Sequence, residues 1–447
     1  MEFKEFKNRL FVKAKEEGFS ECEIYYIDKE SLKVSVYEGE VEGYNLNNTF
    51  GLSFRGKYNE KMGYSFTEIL DDASIEMLVS NAKSAALAIE SNDVQFIYEG
   101  DKEYTEVNSY SDELESVNAE DLINIALSLE SKARAYSDKV CNIQGCAVSY
   151  SNSKYGIYNT KGLELNNKAN LLMAYVVPVV KEDNQMYNAL GYKLANSIKE
   201  INVDDIVKMG VEEALEMIGG KTVNSGFYKT IIYNETMASM LDTFSDIFSA
   251  DSAQKGLSLL KDKEGESIAS DVVTIVDNPH LKDGLASTPF DDEGVATCEK
   301  EVVSNGKFMT FLHNLKTANK AGVKTTGNGF KAAYTSAVSI EPTNFYIKPG
   351  NNNLDALMQK VGNGLLITDF AGLHSGANSV TGDFSLAAKG FLIENGKKSR
   401  PVEQITVSGN YFDLLKSIEE VGSDLIFPMS SIGSPSVIVK GLSVAGK

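Results

Sequence analysis

The chain has 447 residues, 43% of them hydrophobic and 24% charged, which is enough apolar material for two or three soluble domains with a large core. With 63 acidic residues against 43 basic ones the net charge is −20, so a broad surface would repel a phosphate backbone instead of releasing its counterions, and direct nucleic-acid binding is disfavoured. Cys22, Cys141, Cys146 and Cys298 form no C-x-x-C pair and are too scattered for a secreted disulfide framework.

Reduced thiols are therefore expected. The chain opens directly into an amphipathic pattern with no apolar leader, and its best apolar run, Leu171 to Val180, is broken by Tyr175 and Pro178 and is too short to span a bilayer. The expectation is a cytoplasmic protein with no membrane segment.

Phe3, Phe6, Leu10 and Ala14 recur at helical spacing, which predicts a helix over 3–17 ending at Gly18. Short β-rich segments follow at 23–28, 32–38, 42–47, 49–55 and 61–66, where Leu32, Val34 and Val36 alternate with polar neighbours as a half-buried strand does. Asp71 is placed to cap a helix whose Ile75, Leu78, Val79, Ala82, Ala86 and Ile89 make one apolar stripe. These elements make a first unit, 1–98.

Residues 99–117 are acidic, polar and aperiodic, which marks a connector. A second unit, 118–220, repeats the order of strands with covering helices. Asn118 caps one helix, strands are expected at 140–151, 156–159, 163–167 and 170–180, and Asn202 caps a last helix closed by Gly219-Gly220. No residue-level repeat links the two units. After Gly226 short strands dominate, interrupted by one amphipathic helix over 235–248, and this third unit, 226–447, reads as a β-rich domain. The expected class is α+β, with N-terminal helix-covered sheets and a larger, strand-dominated, mixed C-terminal domain.

Near the end, Asn395-Gly396 offers the two positive-φ residues of a type I′ hairpin turn between Phe391–Glu394 and a strand reaching Val402. Around it stand VTGDFS (Val380–Ser385), GFLIENG (Gly390–Gly396) and PVEQITVSGN (Pro401–Asn410). Upstream lie Phe290-Asp291-Asp292-Glu293-Gly294, Thr326-Gly327-Asn328 and Pro342-Thr343-Asn344-Phe345-Tyr346. In order and approximate spacing these segments resemble the TldD/PmbA (TldD/TldE) family, weakly from about residue 20 and strongly from about residue 228, with the PmbA/TldE branch the better fit.

The resemblance implies more than the residues alone. The TldD branch carries H-E-x-x-x-H on the helix that aligns with 235–248, and a widened turn would bring its two zinc-binding His together. The aligned hexapeptide here is Asp242-Thr243-Phe244-Ser245-Asp246-Ile247, and no cysteine follows Cys298 to supply the family's third ligand. The implied role is a TldE-like subunit without catalytic or metal residues of its own. It would complete a peptidase chamber for unfolded peptides beside a TldD-like H-E-x-x-x-H paralogue that holds the zinc, or would pair with itself as a homodimer. A self-sufficient hydrolase or metal enzyme using Asp291, Asp292, Glu293 and His374, and a homodimeric peptide-binding protein, stand as alternatives.

His280 reads as a turn residue and His313 as a satisfied buried or edge histidine. His374, with Ser375, Asn378, Thr381 and Asp383, lies on a Gly-flanked loop running into VTGDFS and is a candidate peptide groove or interface, with strand addition at 371–383 as the expected mode of capture. Asp291-Asp292-Glu293 offers hard oxygen ligands but lacks the rest of a metal loop, so a solvated acidic turn or a partner-facing contact is the expected role. Thr326-Gly327-Asn328-Gly329 has no following Lys-Ser/Thr and is no phosphate loop.

Overall fold

The computed structural model describes residues 1–90 and 94–447, so the expected first unit is described except for 91–93. Strand accounts for 40% and helix for 26% of the chain, in sheets and helices that are mixed, as the α+β expectation requires.

Helix α1 (Phe3–Glu16) leads into the long strands β1 (Glu21–Tyr37) and β2 (Glu40–Tyr58), then β3 (Lys61–Thr67) and helix α2 (Asp72–Ala88). After the connector come α3 (Ala119–Tyr136), β4 (Val140–Asn159), β5 (Glu164–Glu182), β6 (Gln185–Asn188), β7 (Gly191–Ala195) and α4 (Val203–Glu216). The expected caps form, with the side chains of Asp71, Asn118 and Asn202 each accepting from the first turn of its helix.

The two N-terminal units do not build separate sheets. β1 pairs with β4 from Glu23↔Asn159 to Ser35↔Ala147, giving one antiparallel sheet in the order β3-β2-β1-β4-β5-β6, with β7 also on β5. Several segments expected as separate strands are single long ones for the same reason. Polar stretches such as Lys29-Glu30-Ser31 break the sequence pattern, yet β2 on one side and β4 on the other satisfy their backbone.

Side chains alternate across this sheet. Cys22, Ile24, Leu32, Val34 and Val36 of β1 share one face; α1 and α2 cover its first half and α3 and α4 its second. The other face carries Glu23, Tyr25, Ser53 and Arg55, and the C-terminal domain docks there through Phe290 against Tyr25 and Ile157.

In the C-terminal domain the strands run in the order Lys397–Asn410, Asp383–Glu394, Gly364–Ala371, Gly226–Ile232, Val437–Ala445, Ile418–Val421. Lys397–Asn410 also pairs with Val437–Ala445, from Thr406↔Ala445 to Ser408↔Ser443, so five of the six strands form a closed ring without a free edge between them. The hairpin at 395–396 forms as expected, with φ of 53° at Asn395 and 75° at Gly396, and its second strand continues past Val402 to Asn410. A five-stranded sheet of short strands, including Ile275–Asp277, Lys300–Ser304 and Phe345–Ile347, lies alongside.

The helix expected over 235–248 is shorter. An α-helix, α5, runs Asn234–Thr243, and the chain then tightens into a 3-10 turn at Ser245–Phe248. Met237, Met240, Leu241, Phe244, Ile247 and Phe248 are all buried in one cluster with the strands of the ring.

Candidate functional site

Where the zinc motif would stand, an exposed Asp242 takes the place of the first His, a half-buried Thr243 that of the Glu and a buried Ile247 that of the second His, with Phe244 between them packed as core. Phe244 stacks face to face on Tyr411 at 4.3 Å between ring centroids and an interplanar angle of 7°, and Ile247 is buried beside it. Neither side chain can ligate a metal, the turn tightens instead of widening, and among the described residues no three His, Cys, Asp or Glu side chains are grouped to hold an ion. The residues present therefore do not fit zinc at this helix.

The outward side of α5 is acidic. Glu235 on its first turn accepts a 3.5 Å hydrogen bond from the Tyr192 hydroxyl on β7, and the exposed Glu213 of α4 lies close enough to feel its charge, with the Asp369–Lys389 pair (3.7 Å) nearby. Desolvation by packed neighbours and then the Glu235 carboxylate push Glu213, which stays exposed at the surface, up to about 7, while desolvation raises Glu235 and Asp242. Sequence reasoning missed this acidic pair because Glu213 and Glu235 lie on different units and each reads locally as a solvated helix face.

Beside α5 sits the turn Leu373–Gly376, on which His374 and Ser375 are exposed, as are Asn378, Thr381 and Asp383 after it. The rest of that loop ties itself together. Asn378 Oδ1 accepts from the N–H groups of Val380 and Thr381, Thr381 Oγ1 accepts from Asp383 N–H, and Asp383 Oδ1 accepts from Asn410 Nδ2 at 3.0 Å. Gly382 has φ of 81°, and a Cβ there would lie 2.8 Å from the Phe412 ring, so this signature glycine is fixed by backbone and space together. Strand addition along 371–383 has little edge to use, because Ala377 bridges Phe384 and Asn378 N–H donates to the Asp383 carbonyl.

The acidic triplet is not a solvated turn. Asp291, Asp292 and Glu293 are 0%, 7% and 5% exposed and sit where the C-terminal domain meets the N-terminal sheet. Asp291 accepts from the N–H groups of Glu293, Val295 and Gly329, closing the turn on itself. Asp292 accepts from Lys331 N–H, and Glu293 accepts from Leu315 N–H and faces Arg55 Nη1 at 3.7 Å. Arg55 in turn donates to Glu23 at 2.6 Å, and Lys331 donates to Ser53 and lies over the Tyr25 ring. Single sequence segments could not reveal that Glu23 and Arg55, on adjacent strands, wait under this turn.

Burial pushes Asp292 up to about 6 and Lys331 down to about 8. A carboxyl whose folded-state pKa is raised contributes stability below its unfolded value near 4 and loses it as pH climbs through 6. Relative to Asp292→Asn, the wild-type chain should therefore lose roughly 2–3 kcal/mol of stability between about pH 4 and pH 7.5. Urea unfolding of both proteins across that range checks it, and parallel pH curves would refute the buried carboxyl.

The remaining signature segments form a second buried network. Asp277 accepts from Thr343 N–H and Oγ1 through one oxygen and from Asn328 Nδ2 and Lys300 Nζ through the other. Thr326 Oγ1 donates to Asn328 Oδ1, and His313, buried as expected, pairs through Nδ1 with Thr317 at 3.2 Å; burial lowers its pKa to about 4. These motifs hold the short-stranded sheet together. His280, half-buried in its turn, reaches Thr297 Oγ1 at 3.1 Å.

Family models agree with the signature reading over nearly the whole chain. The PmbA/TldA metallopeptidase domain 1 matches residues 22–86, the central domain 112–218 and the C-terminal domain 225–446. A metalloprotease PmbA homologue of Haemophilus influenzae is 27% identical over 93% of this chain and 90% of its own length, and metalloprotease PmbA of Escherichia coli O157:H7 is 26% identical over the same shares. A Thermotoga maritima protein, whose crystal structure was named for a proposed modulation of DNA gyrase, superposes with a TM-score of 0.92 at 34% identity over 99% of this chain and 100% of its own. TldE from Thermococcus kodakarensis has the same fold, with a TM-score of 0.90 at 22% identity over 99% of this chain and 100% of its own. Matched in all three domains and along its full length, the chain belongs to the PmbA/TldD metallopeptidase family.

Proposed function

We propose that this chain is a TldE-like, non-catalytic subunit of a two-chain zinc peptidase acting on unfolded peptides in the cytoplasm. It binds no metal itself, associates through its C-terminal domain with a zinc-bearing H-E-x-x-x-H paralogue, and completes the substrate chamber. The observation that carries this reading is the buried Ile247, packed in the core with Phe244, where the second His of the motif would stand, while an exposed Asp242 stands where the first would, so that both imidazoles are absent. The exposed His374 and Ser375 and the acidic pair Glu213 and Glu235 supply a polar wall beside that helix.

The alternative of a self-sufficient hydrolase loses its support. Asp291, Asp292 and Glu293 are consumed by backbone N–H groups and Arg55, and among the described residues no hydrogen bond or ion pair joins them to His374.

The test combines elemental analysis with reconstitution. The chain purified without chelators should carry no zinc, and cleavage of an unfolded peptide should appear only when it is mixed with a zinc-bearing paralogue. One zinc per chain retained on dialysis, or a paralogue that cleaves equally well alone, would overturn the proposal.

A further inference from the structure

The longest stretch of unpaired sheet edge in the N-terminal half is on β2. β3 covers β2 only from Leu52 to Tyr58, so residues 40–51 have β1 on one side and, among the described residues, no strand on the other. In an antiparallel ladder every second residue of such a strand turns its N–H and C=O outward. Over the seven regularly paired residues Gly43–Thr49 this leaves about 23 Å of hydrogen-bonding edge.

The side chains on this edge do not protect it. Lys, Pro and strand bulges are the usual guards, and Val41–Thr49 has neither Lys nor Pro. Its pairing with β1 is irregular once, where Ser35↔Gly43 is followed by Val36↔Val41 and Glu42 is bulged, so the bulge sits at one end and Gly43–Phe50 pairs regularly. Tyr44 and Leu46 are each 52% exposed. They stand opposite Val34 and Leu32 of β1, on the face that α3 and α4 cover, and so extend a core that stops short of them. In a chain of net charge −20, residues 43–50 carry no charge at all.

We propose that this edge pairs with the same edge of a second copy of the chain, antiparallel about a two-fold axis at Asn45. The choice of occupant follows from self-complementarity. A two-fold normal to the sheet keeps each face on its own side and places Tyr44 opposite Leu46 of the other copy, twice, joining the two apolar ledges. The same register sets Gly43 against Asn47, and the nearest acid, Glu42, lies in the bulge outside these pairs. Centring on Tyr44 would bring the Glu42 bulge against Leu46, and centring on Leu46 would put Tyr44 against Asn48. The product is one continuous sheet with the helices of both copies on the same face. This association is separate from the C-terminal contact proposed above and is tested on this chain alone, so either idea can fail without the other.

Two measurements test it. With the exposed Cys141 and Cys298 changed to Ser, Asn45→Cys should form a disulfide-linked dimer at twice 48.8 kDa on mild oxidation. Directly opposed strand residues lie about 4.5–5.5 Å apart between Cα atoms, within disulfide reach. Asn47→Cys, displaced from its own copy by four residues or roughly 13 Å, should stay unlinked. In sedimentation velocity the wild-type chain should run as a dimer, and Tyr44→Lys/Leu46→Lys should shift it to a monomer with unchanged circular dichroism. A monomeric wild type, a dimer indifferent to the two lysines, or an Asn45→Cys link that forms only with a paralogue would each overturn the proposal.

Discussion

Arg55→Met should destabilise the chain by about 3–5 kcal/mol, the cost of leaving buried carboxylates without their cation. Glu23 and Arg55 face each other across β1 and β2, donor to acceptor at 2.6 Å, and Glu293 approaches the same guanidinium from the C-terminal domain. Removing the guanidinium leaves Glu23 and Glu293, 1% and 5% exposed, without their cation, and Glu23 Oε2 already lacks a partner. Because the attraction in such a pair is largely offset by desolvation, the triple change Arg55→Met/Glu23→Gln/Glu293→Gln should recover much of the loss. Urea unfolding of the three proteins measures both effects. A loss below about 1 kcal/mol for Arg55→Met would mean that the contact is solvated, as an exposed pair would be.

Gly390→Ala should cost about 3 kcal/mol or more, although it adds a single methyl group. A Cβ at Gly390 would lie 1.9 Å from the Leu366 carbonyl oxygen and 2.9 Å from Ile367 Cα, and neither backbone atom can rotate away. This is the point where Asp383–Glu394 shifts register against its neighbour, so the glycine of GFLIENG is required by close approach and not by a positive φ. Gly162→Ala is the control. It has φ of 98° with nothing within 4 Å of the added atom, and should lose only about 1–2 kcal/mol from backbone strain. Equal losses for the two would remove the packing argument.

Much of the local structure was legible in the sequence because its causes are local. The caps at Asp71, Asn118 and Asn202, the Asn395-Gly396 turn and the helical stripes of α1 to α4 depend on neighbours within a few residues, and each forms where expected. The family signature was legible as well, since its segments keep their order and spacing. Segment-by-segment reading also divided β1, β2, β4 and β5 at their polar stretches, because the hydrogen bonds that carry a strand through Lys29-Glu30-Ser31 come from β2 across the hairpin and from β4, more than a hundred positions away.

What the signature residues do was a matter for the tertiary structure. Asp291-Asp292-Glu293 has the composition of a solvated turn, and only the docking of one domain on the Glu23/Arg55 face of another sheet turns it into a buried electrostatic contact. Asn378, Thr381 and Asp383 resemble a presented binding loop in sequence and are exposed beside His374 and Ser375, but they also hydrogen-bond within their own turn, which only the folded loop shows. The sequence by itself determined the family, the α+β class and the absence of His and Glu from the hexapeptide 242–247, because residue identity is enough for each. The single sheet shared by two units, the closed ring of strands and the burial of the acidic triplet were decided in three dimensions, because each depends on which distant strands and charges the folded chain brings within a few ångströms.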